Sequence, residues 1–155
     1  MQGPPTRYAD RSSLYARNSV SVRSIRPILN VSDVRASLAW FELLGFETTF
    51  VWDEGDREPG FAGTGCGEAE IFLCRDGQGA REARRPRVPF DESTGGVWMS
   101  WFLDDVEEVD RMHARAVELG LDVSMSPTDE PWGVREFHLR HPDGHTFRVG
   151  AFQRG

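Results

Sequence analysis

Val31-Ser32-Asp33-Val34 returns later in the chain as Leu103-Asp104-Asp105-Val106, and Leu44-Gly45-Phe46-Glu47 returns as Leu119-Gly120-Leu121-Asp122. Each pair brackets a segment with helical spacing. In the first, Asp33 stands at the N-cap, Val34, Leu38, Phe41 and Leu44 make an apolar stripe, and Gly45 supplies the stop. In the second, Asp105 and Glu108 read as a capping box, Val106, Val109, Met112, Ala116 and Leu119 carry the stripe, and Gly120 ends it. Strand-like runs flank both helices in one order. Residues 25–31 read as a strand that Pro27 confines to an edge or to its first positions. After the helix come 46–52, a polar turn at 53–60, and a hairpin of 61–66 with 70–75. The second round has 97–103, the helix, 121–125, a long turn at 126–133, 134–140, the turn HPDGH at 141–145, and 146–152.

A repeated βαβββ pattern fixes the architecture, because each helix covers one face of its own sheet and leaves the other face open. The expected fold class is α+β, with two tandem βαβββ modules forming a curved, incompletely closed eight-stranded sheet, helices outside. The modules span 24–76 and 97–152, residues 1–23 read as a flexible N-terminal extension, and the Gly-, Arg- and Pro-rich run 77–96 reads as a linker. Strand alternation puts Leu29, Val31, Met99, Trp101, Leu103, Phe147 and Val149 under the helices. It puts Arg26, Ile28, Asn30, Trp98, Ser100, Phe102 and Arg148 in the concavity, and a one-residue register shift would exchange the two sets.

Composition narrows the chemistry. The 155 residues carry 18 basic and 25 acidic side chains for a net charge of -7, and every basic one is arginine. A nucleic-acid partner is not expected of an acidic chain. Without lysine there is no Schiff base and no P-loop, and no GxSxG elbow is present. Residues 1–23 lack a continuous apolar core, so neither a signal peptide nor a membrane span is expected. Two cysteines, Cys66 and Cys74, make no disulfide framework, which fits a reduced cytoplasmic protein. The five tryptophans and ten phenylalanines are the surfaces to follow.

The segments PILNVSDVRASLAWFELLGFE (27–47), ELGLD (118–122) and PWGVREFHLRHPDGHTFRVG (131–150) resemble the vicinal-oxygen-chelate superfamily, which holds glyoxalases, extradiol dioxygenases and bleomycin-binding resistance proteins. The resemblance runs over about residues 24–152, and the Pro131-Trp132-Gly133 turn is most similar to the bleomycin-resistance branch. It implies metal ligands, in the enzymes, on the first, fourth, fifth and eighth strands. Those positions fall on Arg26, on Ile71 (or on Glu70 if the register slips by one), on Trp98 and on Arg148. Arg, Ile and Trp do not ligate divalent cations, so no metal and no other cofactor are expected. The four histidines, His113, His138, His141 and His145, lack the spacing to converge.

The same resemblance implies a binding cleft in which aromatic side chains stack on a flat ligand, at Phe50, Phe61 and Trp132. Phe72 and Cys74 fall where the fourth strand lines it, and Trp98 and Phe102 extend its floor. A phenylalanine on a strand serves a core equally well, whereas Trp132 stands in a polar turn. Asp53, Glu54, Asp56, Glu58, Asp91, Glu92, Asp129 and Glu130 read either as an acidic solvated surface or as attraction for a cationic ligand. Arg26 and Arg148 suggest an internal ion pair, for example with Glu136, or recognition of an anion. The expected function is sequestration of a flat, partly cationic antibiotic of the bleomycin class by a homodimer. The alternatives are a glyoxalase- or dioxygenase-like enzyme with a relocated metal, and a metal-free cleft that holds an anionic metabolite on Arg26 and Arg148.

Overall fold

The computed structural model describes residues 22–53, 55, 58–77, 79, 81 and 95–154. Most of the expected extension at 1–23 and linker at 77–96, with Glu54, Asp56, Asp91 and Glu92, lies outside the described residues. The elements are β1 (Ile28–Val31), α1 (Val34–Glu42), β2 (Glu47–Trp52), β3 (Phe61–Cys66) and β4 (Ala69–Arg75). The second round is β5 (Trp98–Phe102), α2 (Val106–Glu118), β6 (Asp122–Asp129), β7 (Val134–Arg140) and β8 (Thr146–Phe152). Two four-stranded sheets result, ordered β1-β4-β3-β2 and β5-β8-β7-β6, with no ladder shared between them. The first strand of each module runs parallel to its fourth, and the other pairs are antiparallel.

Local chemistry explains the boundaries. Asp33 Oδ1 accepts from the Ala36 N–H at 2.8 Å and Asp105 Oδ1 from the Glu108 N–H at 2.8 Å, so both helices start where a carboxylate satisfies a free donor. Gly45 (φ +88°) and Gly120 (φ +67°) stop them, at a backbone geometry that other residues resist. The first strand begins only at Ile28, because Pro27 has no N–H to give; its carbonyl instead accepts from the Phe72 N–H at 2.9 Å. The turn expected at 126–133 is shorter than its sequence suggests. β6 continues through Pro127 to Asp129, which an edge strand permits, and the pairing with β7 is irregular between Met125 and Thr128.

Burial follows the expected alternation in β5, whereas Asn30, expected in the concavity, is buried with its amide donating to the Gly77 and Gly79 carbonyls, and Glu136 and His138 of β7 are buried as well. Leu29, Val31, Leu73, Phe137, Leu139, Phe147 and Val149 are fully covered, and Met99, Trp101 and Leu103 pack against them. The core is shared between modules. Phe41 of α1 lies 5.8 Å from Phe147 and 6.2 Å from Trp101 of the second sheet, and Trp101 stacks on Phe147 at 4.3 Å. Packing of this kind is stabilising in proportion to the apolar area it removes from water.

The turn between β7 and β8 clasps the first module. His145, fully buried, accepts the Val97 N–H at Nδ1 (3.1 Å) and meets the Asn30 carbonyl through Nε2 (2.8 Å). Those two partners require a neutral ring with its proton on Nε2. Asp143 Oδ2 accepts the Ser32 N–H at 2.9 Å, and His141, 4.9 Å from the Trp40 ring, accepts the Asp143 N–H at 3.1 Å. Burial pushes both imidazoles below their usual range. His141 falls to about 4, with His145 beside it adding to the shift and Asp143 opposing it. His145 is lowered by burial against the opposing pull of the Asn30 carbonyl and Asp143.

Because the folded state holds these rings neutral while the unfolded chain protonates them near 6.5, acid binds the unfolded state preferentially. Stability in urea is therefore expected to be full above pH 6.5 and to fall as the pH is lowered toward about 4. Replacing His145 by alanine strands a buried N–H and a buried carbonyl, and is expected to cost about 3 kcal/mol in urea unfolding at neutral pH.

Candidate functional site

The faces turned away from the helices carry the side chains of interest. In the first sheet the registers Ile28↔Phe72, Asn30↔Cys74, Phe61↔Cys74 and Phe50↔Gly63 bring Phe50, Phe61, Phe72 and Cys74 to one face. The three phenylalanine rings form a half-buried triangle, with centroids 5.4–5.5 Å apart. Gly63 makes room for it, since a Cβ there would come within 2.4 Å of Thr49 Oγ1 and 2.5 Å of the Phe50 ring. Cys74 is a free, half-buried thiol.

In the second sheet, Ser100↔Arg148, Phe102↔Gly150, His138↔Arg148 and Glu136↔Gly150 define the open face. Arg148 grips Glu136 by three contacts, Nε to Oε1 at 3.1 Å and Nη2 to Oε1 and Oε2 at 2.7 and 2.9 Å. Glu136 is 5% exposed and its carboxylate also meets His138 Nε2 at 3.3 Å; the His138 ring lies edge-on to Trp98 at 5.4 Å. Such a bidentate, charge-assisted pair fixes the guanidinium in one plane. Its Cζ lies 6.0 Å from the centre of the Trp132 ring, within cation–π range. Phe102 and Phe152 stack at 5.1 Å and 12° beside it. Phe102, Trp132 and Arg148 thus line one cavity of about 270 Å³, together with Val134, Glu136 and Phe152. Trp132 keeps 59% of its surface open.

The predicted residues fall into separate groups. Phe102, Trp132 and Arg148 share the cavity; Trp98 stands next to His138; the phenylalanine triangle and Cys74 belong to the other sheet; and Arg26 lies where the sheets meet. Arg26 bonds Glu70 and Ser24, and Glu70 also accepts from Thr49 Oγ1 at 2.8 Å. The Arg26 and Thr49 hydrogen bonds hold the Glu70 carboxyl below its usual range. The fourth-strand position corrects the first register. Ile71 is buried under the helix and Glu70 shares the open face with Phe72. Phe152 and His138 belong to the same open face, as their spacing from Arg148 and Glu136 by even numbers along one strand implies.

The positions at which the resemblance implies metal ligands therefore hold Arg26, Glu70, Trp98 and Arg148. One carboxylate, already bound by a guanidinium, with two cations and an indole does not fit a divalent metal. Among the described residues no three His, Cys, Asp or Glu side chains gather elsewhere to form such a site. No helix among them is long and apolar enough to cross a membrane.

The family model that matches the chain is the Glyoxalase/Bleomycin resistance protein/Dioxygenase superfamily, over residues 22–149. No curated protein sequence matches. Solved structures share the fold at low identity. TioX from Micromonospora sp. ML1 is 18% identical with a TM-score of 0.64, over 83% of this chain and 98% of its own. A lactoylglutathione lyase from Agrobacterium tumefaciens is 22% identical with a TM-score of 0.62, over 84% and 94%. A bleomycin-binding protein complexed with bleomycin is 18% identical with a TM-score of 0.58, over 86% and 100%. With the tandem βαβββ modules, their open faces and the family model in agreement, the chain belongs to the glyoxalase/bleomycin resistance/dioxygenase superfamily.

Proposed function

We propose that this chain is a metal-free binding protein that sequesters a flat aromatic, partly cationic natural product or drug of the bleomycin class, and so confers resistance without catalysis. The observation that carries the reading is the closure of Arg148 on buried Glu136. A guanidinium that would repel a cationic ligand is neutralised in place, and what faces the cavity is aromatic surface at Trp132, Phe102 and Phe152. Stacking on such rings adds about 0.5–1.5 kcal/mol per pair beyond the area buried. The structural likeness to a bleomycin-binding protein is consistent with this, although at 18% identity it speaks for the fold alone.

Each open face supplies one aromatic wall: the phenylalanine triangle on the first sheet, and Trp98, Phe102 and Trp132 on the second. A homodimer in which one protomer's first module faces its partner's second module would join the two walls into one groove, in the cytoplasm. Anion recognition by Arg26 and Arg148 has less support, since Glu70 and Glu136 already occupy both guanidiniums.

Tryptophan fluorescence should quench saturably with a bleomycin-class drug, at one ligand per groove. Trp132→Ala is expected to raise the Kd about tenfold, equivalent to about 1.4 kcal/mol. Absence of quenching with every member of that class removes the drug assignment. Glu136→Gln leaves the Arg148 charge unbalanced, and should weaken a cationic drug at least about fivefold while urea unfolding still reports a cooperative fold.

A further inference from the structure

The two sheets share a core but no ladder, and the two ends of the seam between them differ. At one end the β7–β8 turn fills the space, with Trp40, Phe147 and His145 among the packed rings. The sequence repeat identifies what should fill the other end. Val34 aligns with Val106, so Trp40 of α1 corresponds to Met112 of α2. Leu29 aligns with Trp101, and the registers Leu29↔Leu73 and Trp101↔Val149 then make Ile71 the counterpart of Phe147 and Ala69 the counterpart of His145. Three rings at one end are thus matched by a methionine, an isoleucine and an alanine at the other.

The missing volume is a cavity of about 300 Å³ between the β3–β4 turn and β5, which Met112, Ile71 and Ala69 all line. Its inner wall is apolar, with Phe46 and Trp101 alongside Ile71 and Met112. Its mouth is charged. Glu68 and Glu70 stand there with Arg26, and the adjoining depression adds Glu47, so three carboxylates face one guanidinium. An apolar chamber of this size with a net negative rim complements a molecule with an apolar body and a cationic head. The chamber borders the cavity at Trp132, with which it shares Ser100, Trp101 and Phe102, but neither Trp132 nor Arg148 lines it.

We propose that this inter-module cavity is a second binding site, for a small amphiphilic amine whose apolar body enters between Ile71, Trp101 and Met112 and whose ammonium group rests at Glu68 and Glu70. The test uses n-octylamine as probe, with n-octanol and octanoate as controls of the same chain length, followed by thermal melting and by tryptophan fluorescence. Octylamine should bind saturably and raise Tm, octanol should bind at least tenfold more weakly, and octanoate should not bind. Met112→Trp installs the ring found at the filled end. It should melt no lower than the parent and lose octylamine binding. If Met112→Trp does not fold, Ala69→His fills the chamber from the sheet side and carries the same expectation. The proposal is overturned by an absence of saturable octylamine binding, by equal binding of octylamine and octanol, or by a folded filling variant that binds octylamine like the parent.

Discussion

A buried, neutral imidazole bonds one half of this protein to the other. His145 accepts the Val97 N–H on Nδ1 and donates its one N–H, on Nε2, to the Asn30 carbonyl, so the last turn of the second module is bonded to the first strand of the first. Because the sheets share no ladder, their mutual placement depends on this clasp, on Asp143 holding the Ser32 N–H, and on the rings packed below, Trp40, Phe41, Trp101 and Phe147. A buried ring that must both accept and donate cannot carry a second proton without losing its acceptor site, which ties the geometry of the interface to its charge state.

With the sheets held this way, both open faces look away from the common core, and their polar groups are dealt with internally. Arg26 is taken by Glu70 and Arg148 by Glu136, one pair in each module. The partly exposed Arg26–Glu70 pair contributes little to stability, whereas Glu136 is buried and depends on Arg148 for its partner; both pairs decide what the open faces present. The faces consequently present rings rather than net positive charge: a phenylalanine triangle over Gly63 in one sheet, and Trp132, Phe102 and Phe152 in the other. The duplication is symmetric in backbone and asymmetric in filling, since its larger rings are concentrated at the β7–β8 end of the seam.

Much of the fold could be read from the chain because its determinants are local. Asp33 and Asp105 cap helices through their own third neighbours, Gly45 and Gly120 stop them by backbone freedom, and a strand's alternation assigns its faces. The reading failed where a local signal competes with pairing. Ser126-Pro127-Thr128-Asp129 has turn chemistry, yet β7 recruits it as an edge strand. The site was less legible. Trp132 and Arg148 are 16 residues apart in sequence, and nothing in either segment states that the guanidinium lies by the indole. The phenylalanines and Trp132, grouped by resemblance, occupy the open faces of separate sheets.

The sequence by itself determined the two βαβββ modules, their caps, and which side chains share a face, since these depend on spacing within a few residues. Only the tertiary structure decided that Glu70 rather than Ile71 stands beside Arg26, that Glu136 neutralises Arg148, and that His141 and His145 are sealed between modules. The physical reason is that ion pairing and burial depend on distances between residues remote in the chain, and those distances exist only once the sheets have closed on their shared core.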